Sequence, residues 1–250
     1  MNKIFYCKKK KSVLYKKPNV TSEHLKELVF GEIFVKLKVY EKFYYGYSQY
    51  DKYFGYLKKN ELCKYTTNNN FLINTGKAYL YKKNKLNTKT DKYLYFNSMI
   101  CITEKDRRFS RCNVGWIRNQ DLISLKRIKS KKYLENINVF KNSKYLWGGN
   151  TNDGVDCSGL VQELMKNKLI KCPRDSQKQE AFFKKSVSIK NIKRGDLLFW
   201  KGHVAIAINR RECVHAYGPY KKVIKMKIDK LILQLMKKSL KLTSIKRPIY

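Results

Sequence analysis

Tyr145-Leu-Trp-Gly-Gly-Asn-Thr-Asn-Asp-Gly-Val-Asp156-Cys157-Ser158-Gly-Leu160 decides how the second half of this chain folds. Its first three residues are strand-like, and Gly148, Gly149 and Gly154 then loosen the backbone into a loop. Leu160, Val161, Leu164, Met165 and Leu169 follow at close to i, i+3/i+4 spacing, which predicts a helix with one apolar face. Asp156 falls at the N-cap, so Cys157 and Ser158 occupy the first helical turn. A thiol there meets the positive end of the helix dipole and N–H groups without helical partners, which favour thiolate. Most cysteines are small buried apolar residues, so position alone does not make Cys157 a nucleophile.

Its partners supply the rest. The chain has three histidines, and two of them lie downstream in strand-like runs, His203-Val-Ala-Ile-Ala-Ile208 and Cys213-Val-His215-Ala216. Cysteine, histidine, then a third polar group is the order of papain-like nucleophilic sites. In that scheme His203 takes the thiol proton and His215 holds the imidazole through its other nitrogen.

Further short motifs stand in sequence around these residues. Pro173-Arg174-Asp175-Ser176, Arg194-Gly-Asp-Leu197, Phe199-Trp200, Gly202-His-Val-Ala205 and His215-Ala216 follow the Tyr145–Leu160 stretch. Together they resemble the NlpC family of papain-like cell-wall peptidases. The resemblance implies an α+β fold, with a papain-like catalytic domain over residues 133–250 whose cysteine helix packs on an antiparallel sheet. It implies that Arg174 and Ser176 line the substrate cleft and that Asp156 and Ser158 receive the substrate's free amine. A fixed carboxylate suits an ammonium, and a guanidinium can hold a carboxylate by two bonds. Asp175 or Ser176 also suits the N-cap of a helix running to Lys184.

The family's reaction cuts the bond between the side-chain carboxyl of D-glutamate and the amine of a diamino acid in peptidoglycan stem peptides. The resemblance further implies free muropeptides beginning with L-alanine as substrates, in cell-wall recycling. An amidase or acyltransferase using the same Cys/His set is an alternative, as is a non-catalytic protein that binds a polyanion or the wall.

Composition bounds these readings. The 250 residues contain 43% hydrophobic and 14% aromatic residues, enough for packed cores. The formal charge is +37, which taken alone suggests a polyanionic partner. Residues 133–250 carry +16 of it and the first 132 residues +21, and only Lys8–Lys11 forms a dense run. Spread lysine of this kind predicts solvated faces rather than a specific nucleic-acid site. Seven cysteines (7, 63, 101, 112, 157, 172 and 213) show neither a paired framework nor a Cys-x-x-Cys motif. A reducing, cytoplasmic setting is therefore expected, with no metal or other cofactor. The four-residue apolar run before Lys8 is too short for a signal peptide, and no stretch is long enough to span a membrane. Nothing in the sequence sets an oligomeric state.

Residues 12–65 alternate short apolar runs with turn residues, which predicts a small barrel. A second copy follows over residues 77–125. Leu14-Tyr15-Lys16-Lys17 recurs as Leu80-Tyr81-Lys82-Lys83, and Phe54-Gly55-Tyr56-Leu57 as Val114-Gly115-Trp116-Ile117. Both resemble the bacterial SH3-like barrels that precede NlpC-type domains. In related multidomain enzymes a barrel tyrosine walls the active-site groove, and Tyr53 matches best by position, with Tyr56 second. Residues 66–76 read as a polar linker and 126–132 as a hinge. Leu134, Ile137 and Phe140 then predict a short helix over Tyr133–Asn142, with a surface helix expected at Ile228–Leu240 and a closing strand at Thr243–Ile249.

Overall fold

Short apolar runs between turn residues become antiparallel strands throughout the first half of the chain. The computed structural model describes residues 3–64, 68–128 and 133–249. Residues 129–132 of the expected hinge at 126–132, residues 66–67 of the expected linker with residue 65 before it, and residue 250 lie outside the described residues. The chain divides into two units, residues 1–129 and 130–250.

Among the described residues of the first unit, seven strands form one sheet. Its order is His24–Val29, Lys11–Tyr15, Tyr53–Lys58, Phe43–Ser48, Ile33–Val39, Ile4–Cys7 and Leu62–Lys64. The sheet therefore takes in residues before position 12. Phe5 and Cys7 alternate inward and join Leu14, Leu28, Phe34, Leu57 and Leu62 in one apolar core. A second core gathers Phe30, Ile73, Ala78, Leu80, Leu94, Ile100, Cys112 and Ile117. Residues 66–76 are not all linker. Phe71–Ile73 is a strand paired on both sides, with Met99–Ile100 and with Leu122–Ser124, because three consecutive apolar residues have a core to enter.

The internal repeat corresponds to a repeated pairing. Tyr15 lies opposite Tyr56, and Tyr81 lies opposite Trp116. Each copy then runs through a 3₁₀ turn, Lys59–Glu61 or Asn119–Asp121, into a short strand. Glycine is required before the paired aromatic. A Cβ on Gly55 would come within 2.8 Å of the Tyr15 carbonyl oxygen, and one on Gly115 within 3.1 Å of that of Tyr81.

The second unit starts with a 3₁₀ segment, Tyr133–Phe140, interrupted at Asn136 and burying Tyr133, Leu134 and Phe140. Apolar residues at every third position fit three residues per turn better than 3.6, so the element is 3₁₀ rather than α. A hairpin of Asn150–Thr151 and Gly154–Val155 leads into helix α1, Cys157–Lys166. All ten residues of α1 are buried, as for a helix inside a domain. Leu169 is not on its apolar face. It adopts φ +58 after the helix end and is 55% exposed, while Ile170 is buried and its N–H reaches the Met165 carbonyl at 3.0 Å.

Helix α2 covers Ser176–Phe182 and α3 Ile228–Met236, both shorter than expected. Asp175 occupies the N-cap of α2 without a side-chain capping bond. Five antiparallel strands form the sheet, in the order Lys222–Lys227, Glu212–Tyr217, His203–Ala207, Leu197–Trp200, Leu242–Lys246. Leu198, Trp200, Ala205, Ala207 and Cys213 pack with Ile228, Leu231 and Leu235 of α3. Helix α1 contacts the His203 and His215 strands.

Candidate active site

Asp156 closes the hairpin and caps α1, its Oδ1 accepting the Gly159 N–H at 2.7 Å. The cap makes Cys157 the first helical residue, and the Cys157 sulfur is met by the backbone N–H groups of Val204 and Ser158. Val204 directly follows His203, so the thiol sits beside the start of the His203 strand. In the register Ile206 opposite Val214 and Ala207 opposite Cys213, His215 falls diagonal to His203 on one face of the sheet. Nε2 of His203 and Nδ1 of His215 are 2.8 Å apart. Tyr217 stacks on His215 with centroids 5.0 Å apart and lies 5.5 Å from His203, while Trp200 lies 5.9 Å from His203. Both rings are buried.

That burial decides the charges. It pushes the Cys157 thiol up to about 12, helped by the Asp156 carboxylate. The Val204 N–H, the Arg174 charge and the Ser158 N–H act in the opposite direction and are outweighed. Burial also draws His203 down to about 4, and draws His215 to about 3 with His203 adding to it. Sulfur and imidazoles therefore rest neutral at pH 7. The thiolate expected at the helix start is not the resting form, because loss of water around a 7%-exposed thiol exceeds the fractional charge of a helix end.

Arg174 is turned inward, against the expectation that it faces a ligand. Its Nε donates to Asn150 Oδ1 at 3.0 Å, and Nη1 to Asp156 Oδ1 at 2.8 Å and Ser158 Oγ at 2.9 Å. Nη2 donates to Asp156 Oδ2 at 2.5 Å and to the Gly149 carbonyl at 3.3 Å. A guanidinium has five N–H donors, and these bonds use all of them. The carboxylate it holds bidentately is the protein's own. Asp156 in turn accepts from Gly148 N–H at 2.9 Å, Gly159 N–H, Ser158 Oγ and Arg174, which fills the sites an ammonium would need. Ser158 accepts from Arg174 and donates to Asp156. Gly159 permits the cluster, since a Cβ there would meet the Gly149 carbonyl oxygen at 2.5 Å and Asp156 Oδ1 at 3.0 Å.

The model of the NlpC/P60 family matches residues 142–242, from the loop before α1 to the last strand. Residues 142–242 form an NlpC/P60 family domain. A murein DD-endopeptidase/LD-carboxypeptidase of Escherichia coli K12 is 36% identical over 83 residues, covering 31% of this chain and 44% of that protein. A γ-D-glutamyl-L-lysine dipeptidyl-peptidase of Bacillus subtilis is 26% identical over 181 residues, 66% of this chain and 60% of that protein. The chain thus spans less than two thirds of the curated relatives it matches. A crystal structure of an NlpC/P60 family protein from Bacillus cereus shares the fold with a TM-score of 0.82, covering 98% of this chain and 99% of that one at 17% identity.

Of the remaining candidates, Ser176 opens α2 and is buried. Gln179 of the same helix donates to the Ser158 and Pro173 carbonyls, both at 2.9 Å, tying α2 to the start of α1. Tyr53 begins a strand of the first unit, its ring against that unit's core. Sequence reading passed over Tyr145. Burial raises its phenol to about 12, with the Asp156 carboxylate and, when ionised, the Cys157 sulfur adding, which puts Tyr145 within electrostatic reach of the sulfur in the NlpC/P60 domain. Its one signal was its place in Tyr145-x-Trp147-Gly-Gly. Met226 gave no signal, yet its Sδ is 3.1 Å from Nε2 of His215. Among the described residues, no cluster of His, Cys, Asp and Glu could hold a metal ion, and no helix is long and apolar enough to cross a membrane.

Proposed function

We propose that this protein is a cysteine peptidase that hydrolyses the γ-D-glutamyl–diamino acid bond of peptidoglycan stem peptides, with free muropeptides bearing an N-terminal L-alanine as substrates. The observation that carries this reading is the bonded His203–His215 pair beside a cysteine at the head of α1. The B. subtilis dipeptidyl-peptidase supports the bond assignment, because its similarity extends over 66% of this chain, well beyond the 142–242 domain.

Because both partners rest neutral, proton transfer and attack are coupled. As Cys157 Sγ bonds to the carbonyl carbon, its proton moves to His203, and the carbonyl oxygen takes the negative charge. The first N–H groups of α1, with no acceptor inside the helix, can stabilise that oxyanion. Collapse expels the amine of the diamino acid, which receives the proton from His203 and leaves a thioester. Water then gives one proton to His203 and attacks the thioester; that proton returns to Cys157 as the C–S bond breaks, and the freed D-glutamate carboxyl group gives water's second proton to solvent.

Mass spectrometry of products from L-Ala-γ-D-Glu-diamino acid peptides and from whole sacculi tests this reading. The expected products are L-Ala-D-Glu and a free diamino acid, or a peptide beginning with it, formed faster from free peptides. Release of fragments cut elsewhere in the stem, or an acyl group passed to an added amine instead of water, would replace it with an amidase or transferase function.

A further inference from the structure

We propose that Met226 sets the proton positions of the His203–His215 pair. Its thioether accepts the Nε2–H of His215, so that His215 Nδ1 accepts the Nε2–H of His203 and His203 Nδ1 is left bare to take the thiol proton. Met226 is a positioning residue on this assignment, and its catalytic consequence rests on the cysteine-peptidase reading above.

The inference follows from which atoms can carry a proton. A thioether sulfur has lone pairs and no hydrogen, so it only accepts. Nε2 of His215 lies 3.1 Å from Met226 Sδ, closer than two lone-pair atoms would be held without a hydrogen between them. That hydrogen must belong to the nitrogen. His215 is fully buried, so bulk solvent does not compete for its Nε2–H. A neutral imidazole carries one N–H, and burial keeps His215 neutral down to a pH of about 3. With its hydrogen on Nε2, His215 has a bare Nδ1, and the 2.8 Å contact to Nε2 of His203 requires His203 to donate. His203 is neutral above a pH of about 4, so its Nδ1 is then a lone pair. With Nε2 committed to His215, Nδ1 is the nitrogen of His203 left to accept a proton; the opposite tautomer would place an N–H there and block the transfer.

The sheet explains why Met226 can do this. In the pairing of Glu212–Tyr217 with Lys222–Lys227, His215 lies opposite Ile224 and Cys213 opposite Met226. Met226 is therefore the diagonal neighbour of His215 on the same face, as His203 is from the strand on the other side. Three strands thus place Met226, His215 and His203 in a row, with acceptor, relay and base in that order. A leucine at position 226 would fill similar volume but break the row.

Nitrogen-15 NMR of imidazole-labelled full-length protein reads the tautomers directly. With only three histidines in the chain, His24→Asn and His203→Asn variants assign the signals. Wild type is expected to show both His203 and His215 as Nε2–H. In Met226→Leu, the two rings should shift toward Nδ1–H, and kcat on a free stem peptide should fall about tenfold with KM within about twofold. Met226→Gln keeps an acceptor oxygen at similar reach and should restore the Nε2–H pattern and most of kcat. An Nδ1–H form of His203 in wild type would overturn the proposal, as would a Met226→Leu protein with unchanged tautomers, whatever its activity. A wild type that cleaves no stem peptide would sink the peptidase reading alone, because the spectra test the proton positions without any substrate.

Discussion

Two buried polar groups flank the start of α1, and burial has opposite consequences for them. Asp156 and Arg174 face each other as an ion pair in the interior, and every donor of the guanidinium has an acceptor. His203 and His215 are held without charge. Trp200 and Tyr217 surround them with rings, no carboxylate among the described residues pairs with them, and both are held neutral well below their ordinary range. Equal burial thus produces a fixed scaffold on one side and a proton-transfer pair on the other. Counter-charge makes the difference: a buried ion survives when paired and hydrogen-bonded, and otherwise gives up its charge.

The sharpest break of this comparison is at the sulfur between the two groups. Cys157→Ala should reduce hydrolysis by at least about a thousandfold and leave the thermal midpoint within a few degrees, because one small buried atom is lost. Near-normal turnover of purified Cys157→Ala would end the assignment of the imidazole pair to chemistry.

The scaffold side is tested by stability. Arg174→Met leaves the Asp156 carboxylate buried without its partner, and urea unfolding should show a loss of about 3–5 kcal/mol. Asp156→Asn retains the cap yet strands the guanidinium, so it should also destabilise. N-acetylating the substrate's amine should then cost wild type and Asp156→Asn the same factor. If acetylation hurts wild type much more, Asp156 receives the substrate amine and the inward-facing view of the cluster is wrong.

On the imidazole side, the test is acid. The folded pKa of His203 lies below its unfolded value of 6.5, at about 4. The unfolded chain therefore binds the proton first, and stability present above pH 6.5 is lost as pH falls toward 4. For His203 alone this amounts to about 3 kcal/mol. His203→Gln should flatten that part of the pH–stability curve. A curve identical to wild type would mean that the ring is not held neutral.

The smallest effect is expected at Tyr145. Tyr145→Phe should lower kcat about tenfold if its phenol donates to the developing negative charge, with little change in KM or stability. A variant as active as wild type would leave Tyr145 as a packing residue only.

Several of these features are legible in the sequence. The cap at Asp156, the helix behind it and the order of Cys157, His203 and His215 are local or linear signals. The repeated Leu-Tyr-Lys-Lys motif is likewise a linear signal, and its two copies fall at equivalent pairings, at Tyr15 and Tyr81. The ends of elements were less legible. Leu169 continues the helical spacing in sequence, but a left-handed turn places it outside. Phe71–Ile73 looked like part of a polar linker until strands from elsewhere in the chain flanked it.

The sequence by itself determined which residue types stand where: a cysteine after a capping aspartate, an arginine in the loop after the cysteine helix, two histidines in successive strands. Only the tertiary structure decided their charges and partners. Arg174 is eighteen residues from Asp156 and turns inward because five acceptors converge on it. Met226 reaches His215 because two strands pair in one register. Protonation is set by desolvation and by counter-charges from distant segments, and neither is a property of any stretch of sequence.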